Sequence, residues 1–370
     1  IQYSKLKKET TMPTSQTPLP RPTIALALGD AAGIGGELAV RILSDTEVLE
    51  NAQLILIGDR RQLEAAADVT GCDLDLPDCM DAPEAPVSLL DLANIDPADV
   101  TPGQASENTG AAALQNFATA LRLCAAGGAD VVAFTPFNKY AMRLARPDYV
   151  DEIGFINAIT GATQNGREFN VLDEFWNARV TSHIPLSAVA DRITEERVFA
   201  SIELTDTTMR NAGFKRPRIG VAALNPHAGD GGNFGPEDDR EIAPAVLRAK
   251  QKQISVEGPI PSDTVYMRAH KGEFDAVLSM YHDQGQIAMK LIGFDRGVTL
   301  IGGYPFWIAT PAHGTAYDIA GQGIANPNAT KCALLLAAKL ARQGELAATD
   351  ATSRSSAIAK ATGENLTAAQ

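Results

Sequence analysis

Histidine is scarce in this 370-residue chain, with five in all. Three of them stand in separate short motifs: His183 in TSHIPL, His227 in LNPHAGDGG and His282 in MYHDQG. Each motif follows an apolar run that reads as a strand and gives way to a turn marked by Gly or Pro. Imidazoles carried from remote stretches of chain to strand ends can converge on one divalent ion and leave coordination positions open for a substrate. Taken singly, the signals differ. A histidine beside a proline turn, such as His183, is commonly only a hydrogen-bonded loop residue. His227 says more, because the glycines at 229, 231, 232 and 235 let backbone wrap closely around a ligand. His282 emerges where the run FDAVLSM leaves the core, and His270, in MRAHKGEFD, reads as a surface residue.

Around these imidazoles stand candidate acids and cations. Asp263, in GPIPSDTVY, is either a helix N-cap or a carboxylate beside the metal. Asp263 or Asp283 could relay a proton, and Lys139 and Lys290 are the candidate cations for a substrate carboxylate, Lys290 lying in the otherwise apolar IAMKLIGF. Gly29, Asp30, Gly33, Gly35 and Glu37 form a turn between strand and helix. It is not the GxGxxG fingerprint, so alone it carries no pyrophosphate claim. In TPAHGTAYDIAGQGIANP, His313 and Asp318 project from glycine-punctuated backbone; a carboxylate there suits ribose hydroxyls and repels a 2′-phosphate, which favours NAD over NADP.

These motifs need a scaffold of alternating strands and helices. Apolar runs at 23 to 30, 53 to 59, 129 to 139, 179 to 186, 218 to 226, 274 to 285 and 296 to 303 alternate with helical patterns at 37 to 45, 111 to 125, 194 to 212 and 331 to 342. That order predicts an α/β protein with mostly parallel sheets and its polar motifs at the carboxyl ends of strands, where open α/β sheets hold ligands. The length predicts two α/β/α lobes, one from about 23–140 plus 300–340 and the other about 141–299, with the site in the cleft. Residues 1–22 read as a disordered leader or vector-derived sequence with Met12 a plausible start, and 344–370 as a weak, partly helical Ala-rich tail. A net charge of -13 and a pI near 4.9 argue against nucleic acid or an anionic membrane as partner, leaving a small-molecule carboxylate bound through local positive charge. No apolar run is long enough for a membrane span. The four cysteines lack CxxC pairing and read as reduced thiols of a cytosolic protein.

The set GDAAGIGGE, SHIPL, LNPHAGDGG, PSDT, YHDQG and AHGTAYDIAG, in this order from roughly residue 23 to 340, resembles the 4-hydroxythreonine-4-phosphate dehydrogenase family. Its first turn and last loop also look like those of isopropylmalate and isocitrate dehydrogenases. The resemblance implies an isopropylmalate dehydrogenase-like fold and a homodimer. It also implies one divalent metal ion, first of all zinc, held by His183, His227 and His282 across the dimer interface. The cofactor would be NAD, contacted by His313, Gly314, Thr315, Asp318 and Gly321. Lys290 would hold substrate and take part in catalysis with Asp263 and Asp283, and Lys139, Asp151 and Thr299 would line the substrate site.

Departures from the pattern shape the expected substrate. Val150 and Asp151 stand where phosphate-using members carry a His-Thr pair, and Thr299 and Ile308 where they carry Asn and Arg. These replacements predict a substrate without phosphate. Phe306 and Trp307 suggest a ring-shaped neighbour or simply core. The chain is therefore expected to resemble the terephthalate 1,2-cis-dihydrodiol dehydrogenase branch, oxidising a carboxylated cis-diol with β-decarboxylation to a catechol in aromatic degradation. The alternatives are a 4-hydroxythreonine-4-phosphate or sugar-acid phosphate dehydrogenase, a phosphate acyltransferase-like enzyme, and a non-catalytic metal-binding protein.

Overall fold

The computed structural model of the protein describes residues 21–163, 166–344 and 351–363. All but the last two residues of the expected leader lie outside this range. Among the described residues, eleven strands form one sheet: β1 (Thr23–Ala27), β2 (Gln53–Gly58), β3 (Val87–Asp91), β4 (Val131–Phe134), β5 (Arg167–Val171), β6 (Trp176–Arg179), β7 (Ile219–Ala222), β8 (Val256–Ile260), β9 (Ala276–Ser279), β10 (Val298–Gly302) and β11 (Trp307–Pro311). Their order is β3-β2-β1-β4-β11-β10-β5-β6-β9-β7-β8. The two wings pair in parallel, and the antiparallel pairs β11-β10, β10-β5 and β5-β6 join them at the centre.

Among the described residues, twelve α-helices flank the sheet: α1 (Gly35–Ile42), α2 (Thr46–Asn51), α3 (Arg60–Thr70), α4 (Glu107–Ala125), α5 (Lys139–Ala145), α6 (Glu152–Thr160), α7 (Glu195–Asn211), α8 (Ala243–Gln251), α9 (Ser262–His270), α10 (His282–Gly293), α11 (Asn328–Ala341) and α12 (Ala351–Gly363). Every residue of β1, β2 and β4 is buried, as expected of parallel strands covered on both faces. Helix α4 starts at a capping box between Ser106 and Thr109. It buries Phe117, whose ring lies 5.1 Å from Phe134 and 5.0 Å from Phe137. Burying such a side chain contributes about 1.5–3 kcal/mol.

Three expectations change. Helices α5 and α6 pack on α4, so the span from 139 to 160 belongs with the first wing and the cut after residue 140 falls too early. The strand expected over 274 to 285 ends at Ser279, and α10 starts at His282 itself, so IAMKLIGF lies in the body of that helix. The Ala-rich end contains α12, packed on α4 with Ala357, Ile358 and Ala361 buried. Its Arg354, 5% exposed, donates to Gln53 Oε1 and Thr23 Oγ1 at 3.1 Å each, tying the tail to the start of β1 and β2. Alanine is a strong helix former but carries no amphipathic signal, which is why composition marked this stretch as partly helical without showing that it packs.

Candidate active site

The three histidine motifs leave the carboxyl ends of adjacent parallel strands, because β6, β9 and β7 are consecutive in the sheet. Strand spacing of about 4.8 Å therefore sets the three loops side by side on one rim. Within the chain, His183 and His282 come together with ring centroids 5.3 Å apart. His227 is exposed on a short helical turn, Pro226–Gly229, with its ring 6.1 Å from that of Phe234. Among the described residues, no three His, Cys, Asp or Glu side chains gather closely enough to hold an ion. A single chain thus assembles two of the three predicted ligands and leaves the third elsewhere on the same rim.

The residues of MYHDQG explain how the rim is held. Asp283 lies 2.7 Å from His282 Nδ1. A carboxylate only accepts, so Nδ1 carries a proton, and in the neutral ring the lone pair is on Nε2. Gln284 Oε1 accepts from Met280 N at 2.7 Å while its Nε2 donates to Ala223 O at 2.8 Å, stapling the end of β9 to the end of β7. Gly285 lets α10 lie against β6, since a Cβ there would come 2.3 Å from Asn177 Nδ2. Buried Asp238 accepts from Leu224 N and Asn225 N at 2.9 and 3.1 Å, fixing the start of the His227 loop.

Both His183 (φ 51°) and His227 (φ 54°) occupy the left-handed region. Non-glycine residues sit there at a cost on the order of 1–3 kcal/mol. Desolvation holds His183 below the usual imidazole range against the pull of Glu168, with help from the charges of Lys139, Arg179 and His282. A neutral imidazole is the form that can ligate. The donor set fits a divalent cation: two imidazoles on one rim, one of them with its second nitrogen committed to a carboxylate.

The other candidates distribute unevenly. Lys139 opens α5 and pairs with Glu152 at 2.8 Å, and its charge reaches His183. Asp151 caps α6 by accepting from Gly154 N at 2.8 Å. Thr299 accepts from Asn170 Nδ2 at 3.3 Å, and Gln286 of α10 donates to Asn170 Oδ1 at 2.7 Å. Ile308 is fully buried in β11. Asp263 is exposed in the first turn of α9, where Pro261 and not Asp263 takes the N-cap position. Lys290 is exposed on α10 beside the Phe294 ring, 5.7 Å away. Eight residues of helix set it about 12 Å along the axis from His282, so within one chain it is not brought to the histidine pair.

The turn at 29 to 37 and the loop at 310 to 327 dock on each other. Ile34 N donates to Thr315 O at 3.1 Å, Gly321 N donates to Glu37 Oε1 at 2.7 Å, and Tyr317 OH donates to Asp30 Oδ2 at 2.5 Å. Burial and the Asp30 carboxylate push the Tyr317 hydroxyl well above its usual range. Gly33 permits this approach, because a Cβ there would lie 2.8 Å from Thr315 Cβ. Beside this junction lies a mostly apolar cavity of about 140 Å³ lined by Gly33, Glu37, Ala320 and Gly321. Glu37 Oε2 is buried there without a partner, an acceptor suited to a ribose hydroxyl. His313, Gly314, Thr315, Asp318 and Gly321 all lie on the docked loop, Asp318 exposed.

Sequence reasoning missed a second cavity, of about 440 Å³, beside His183. Arg167, Arg179, Arg192 and Arg197 line it together with Asp151 and Glu168. The available signal was Arg179 itself, a charge inside the otherwise strand-like run FWNARV.

The model of a family described as the pyridoxal phosphate biosynthetic protein PdxA matches residues 50–337. The chain belongs to the PdxA family. A Rhizobium meliloti relative, provisionally named 4-hydroxythreonine-4-phosphate dehydrogenase 2, is 54% identical over 328 residues, 87% of this chain and 94% of its own. A Geobacter metallireducens 4-hydroxythreonine-4-phosphate dehydrogenase is 36% identical over 332 residues, covering 88% of this chain and 97% of its own. Among solved structures, the 4-hydroxythreonine-4-phosphate dehydrogenase of Klebsiella pneumoniae superposes with a TM-score of 0.76 at 32% identity, covering 86% and 99% of the two chains. The terephthalate 1,2-cis-dihydrodiol dehydrogenase of Burkholderia xenovorans reaches a TM-score of 0.58 at 25% identity. Membership of PdxA makes the protein a dehydrogenase with the expected α/β fold. It also shifts the weight from the diol reading to its alternative, since the phosphate dehydrogenases are the more similar in both sequence and structure.

Proposed function

We propose that this PdxA-family protein is an NAD- and divalent metal-dependent dehydrogenase of a small hydroxy acid with an anionic end group. Substrates of the 4-hydroxythreonine-4-phosphate and threonate 4-phosphate type are the first candidates. The observation that carries the proposal is the His183/His282 pair on a rim shared with His227. When bound, the cation would act as a Lewis acid on the substrate hydroxyl and the nicotinamide would accept the hydride. Of the chain's own residues, His183 and His282 would hold the cation and Asp283 would orient His282. Lys139, with Glu152 fixing its head group, would face the substrate's negative charge across the cleft. The docked turn and loop would seat NAD, with Glu37 Oε2 and Asp318 turned toward its hydroxyls.

His227 is proposed as the third ligand, supplied across a homodimer interface. Exposed apolar side chains flank the histidine motifs: Ile184 and Leu186 after His183, Phe234 after His227, and Ile287, Leu291 and Phe294 at helical spacing on α10. A second copy covering that face would bury them, and Lys290 on the same helix would then reach the partner's substrate.

The test is NAD reduction, followed by absorbance, with 4-hydroxythreonine 4-phosphate, threonate 4-phosphate, their unphosphorylated forms and terephthalate cis-dihydrodiol. Turnover of a phosphorylated hydroxy acid, lost with chelator and restored by a divalent ion, is the expected result. Turnover of the diol alone would overturn the substrate assignment.

A further inference from the structure

The arginine-lined cavity beside His183 has no role in the reading above, and its charge is out of balance. Four guanidinium groups face two carboxylates, and both carboxylates are engaged. Asp151 caps α6, and Glu168 accepts from Arg179 Nη2 at 2.8 Å. Arg167, Arg192 and Arg197 have no carboxylate partner among the described residues. Arg167 is held below the usual guanidinium range, first by desolvation and then by the charge of Arg197, so two of these cations press on each other. Arg179 is 6% exposed and its Nη1 is buried with no hydrogen-bond partner. A buried guanidinium with an idle donor, beside three unneutralised arginines in an open cavity, is an arrangement that an oxyanion completes.

We infer that this cavity is the seat of the substrate's anionic end group, a phosphate or a carboxylate, held by Arg167, Arg192 and Arg197 with Arg179 beneath them. The inference rests on the dehydrogenase reading for the identity of the ligand, but not for the existence of the seat. It also accounts for the replacements at Thr299 and Ile308. One is tied to Asn170 and the other is buried in the sheet, so neither serves an anion, and the positive charge stands instead on the His183 side of the cleft. The cavity lies within the size range of small-molecule sites, roughly 300–1,000 Å³.

The test is calorimetric titration of the purified full chain with inorganic phosphate and, separately, with malonate, alongside NAD-reduction kinetics. Arg192→Ala and Arg197→Ala remove exposed cations and leave the core untouched. Each is expected to weaken anion binding about tenfold, the value of one charge-assisted hydrogen bond, and to raise KM with kcat nearly unchanged. Arg179→Met should weaken it further, and because that variant risks misfolding, the two exposed variants carry the decision. Arg216→Ala, a surface arginine outside the cavity, is the control and should leave binding unchanged. Preference for phosphate assigns a phosphorylated substrate, and preference for malonate assigns the seat to a carboxylate. Absence of binding to either anion, or binding lost only in Lys290→Ala and intact in both exposed arginine variants, would overturn the inference. Intact anion binding without any NAD-linked turnover would instead refute the dehydrogenase reading and leave the seat standing.

Discussion

The two sides of the cleft are finished to different degrees. On the proposed cofactor side, the turn at 29 to 37 and the loop at 310 to 327 are closed on each other by three hydrogen bonds of 2.5 to 3.1 Å, with Asp30 and Glu37 buried between them. On the histidine side, the loops are individually pinned by Gln284 and Asp238, yet His183 and His227 stand exposed, both in the left-handed region, and His282 is half-buried. One side is preassembled and the other is poised. The difference follows from what each has to bind. A dinucleotide is read largely by backbone, which a docked loop can present in advance, whereas an ion needs lone pairs held open until it arrives.

The largest effect should come from removing a ligand on the poised side. His282→Ala is expected to lower kcat/KM on the order of 10³-fold, corresponding to several kcal/mol of lost charge stabilisation. The melting temperature should stay within a few degrees, because the ring is not part of the core. Calorimetric metal binding and thermal melts check both halves; retained activity would remove the histidine pair from the mechanism.

Asp283→Asn keeps the shape but weakens the acceptor at His282 Nδ1. Metal affinity is expected to fall about 10- to 100-fold, with affinity for NAD unchanged. Conversely, Gly33→Val should act on the docked side alone. Its Cβ would meet Thr315 Cβ at 2.8 Å and Thr315 O at 2.9 Å, pushing the loop outward. The expected outcome is a rise of roughly tenfold in KM for NAD, with metal binding as in the parent protein.

How much of this was legible in the sequence differs in the same way. The histidine rim was readable because short buried strands ending in Gly and Pro turns mark their own carboxyl ends, and β6, β9 and β7 happen to be neighbours. The docked turn and loop were readable as glycine-punctuated motifs, although nothing local announced that Ile34 would meet Thr315. The helical placement of Lys290 was hard to read because Ile287, Met289 and Leu291 flank it in an apolar run that masks helical spacing. Helix α10 carries the lysine two turns away from His282. Arg179 alone gave a signal, as a charge inside a strand-like run; its gathering with Arg167, Arg192 and Arg197 was invisible, since a charge cluster drawn from residues 167 to 197 is a property of the sheet's packing and not of any one stretch.

The smallest and most discriminating change is Tyr317→Phe. The hydroxyl donates to Asp30 Oδ2 at 2.5 Å, while Asp30 Oδ1 accepts from Ala32 N at 2.9 Å, and the carboxylate is fully buried. Phenylalanine keeps the ring and leaves Oδ2 without its donor, at a cost of about 1–3 kcal/mol. Part of that cost will show as a melting temperature lower by a few degrees. The rest should appear as a loosened loop and a few-fold higher KM for NAD. Metal affinity should not move, since no described hydrogen bond links Tyr317 to the rim of β6, β9 and β7. A parallel loss of metal affinity in this variant would mean that the docked and the poised sides are one coupled unit, and the contrast between them would fail.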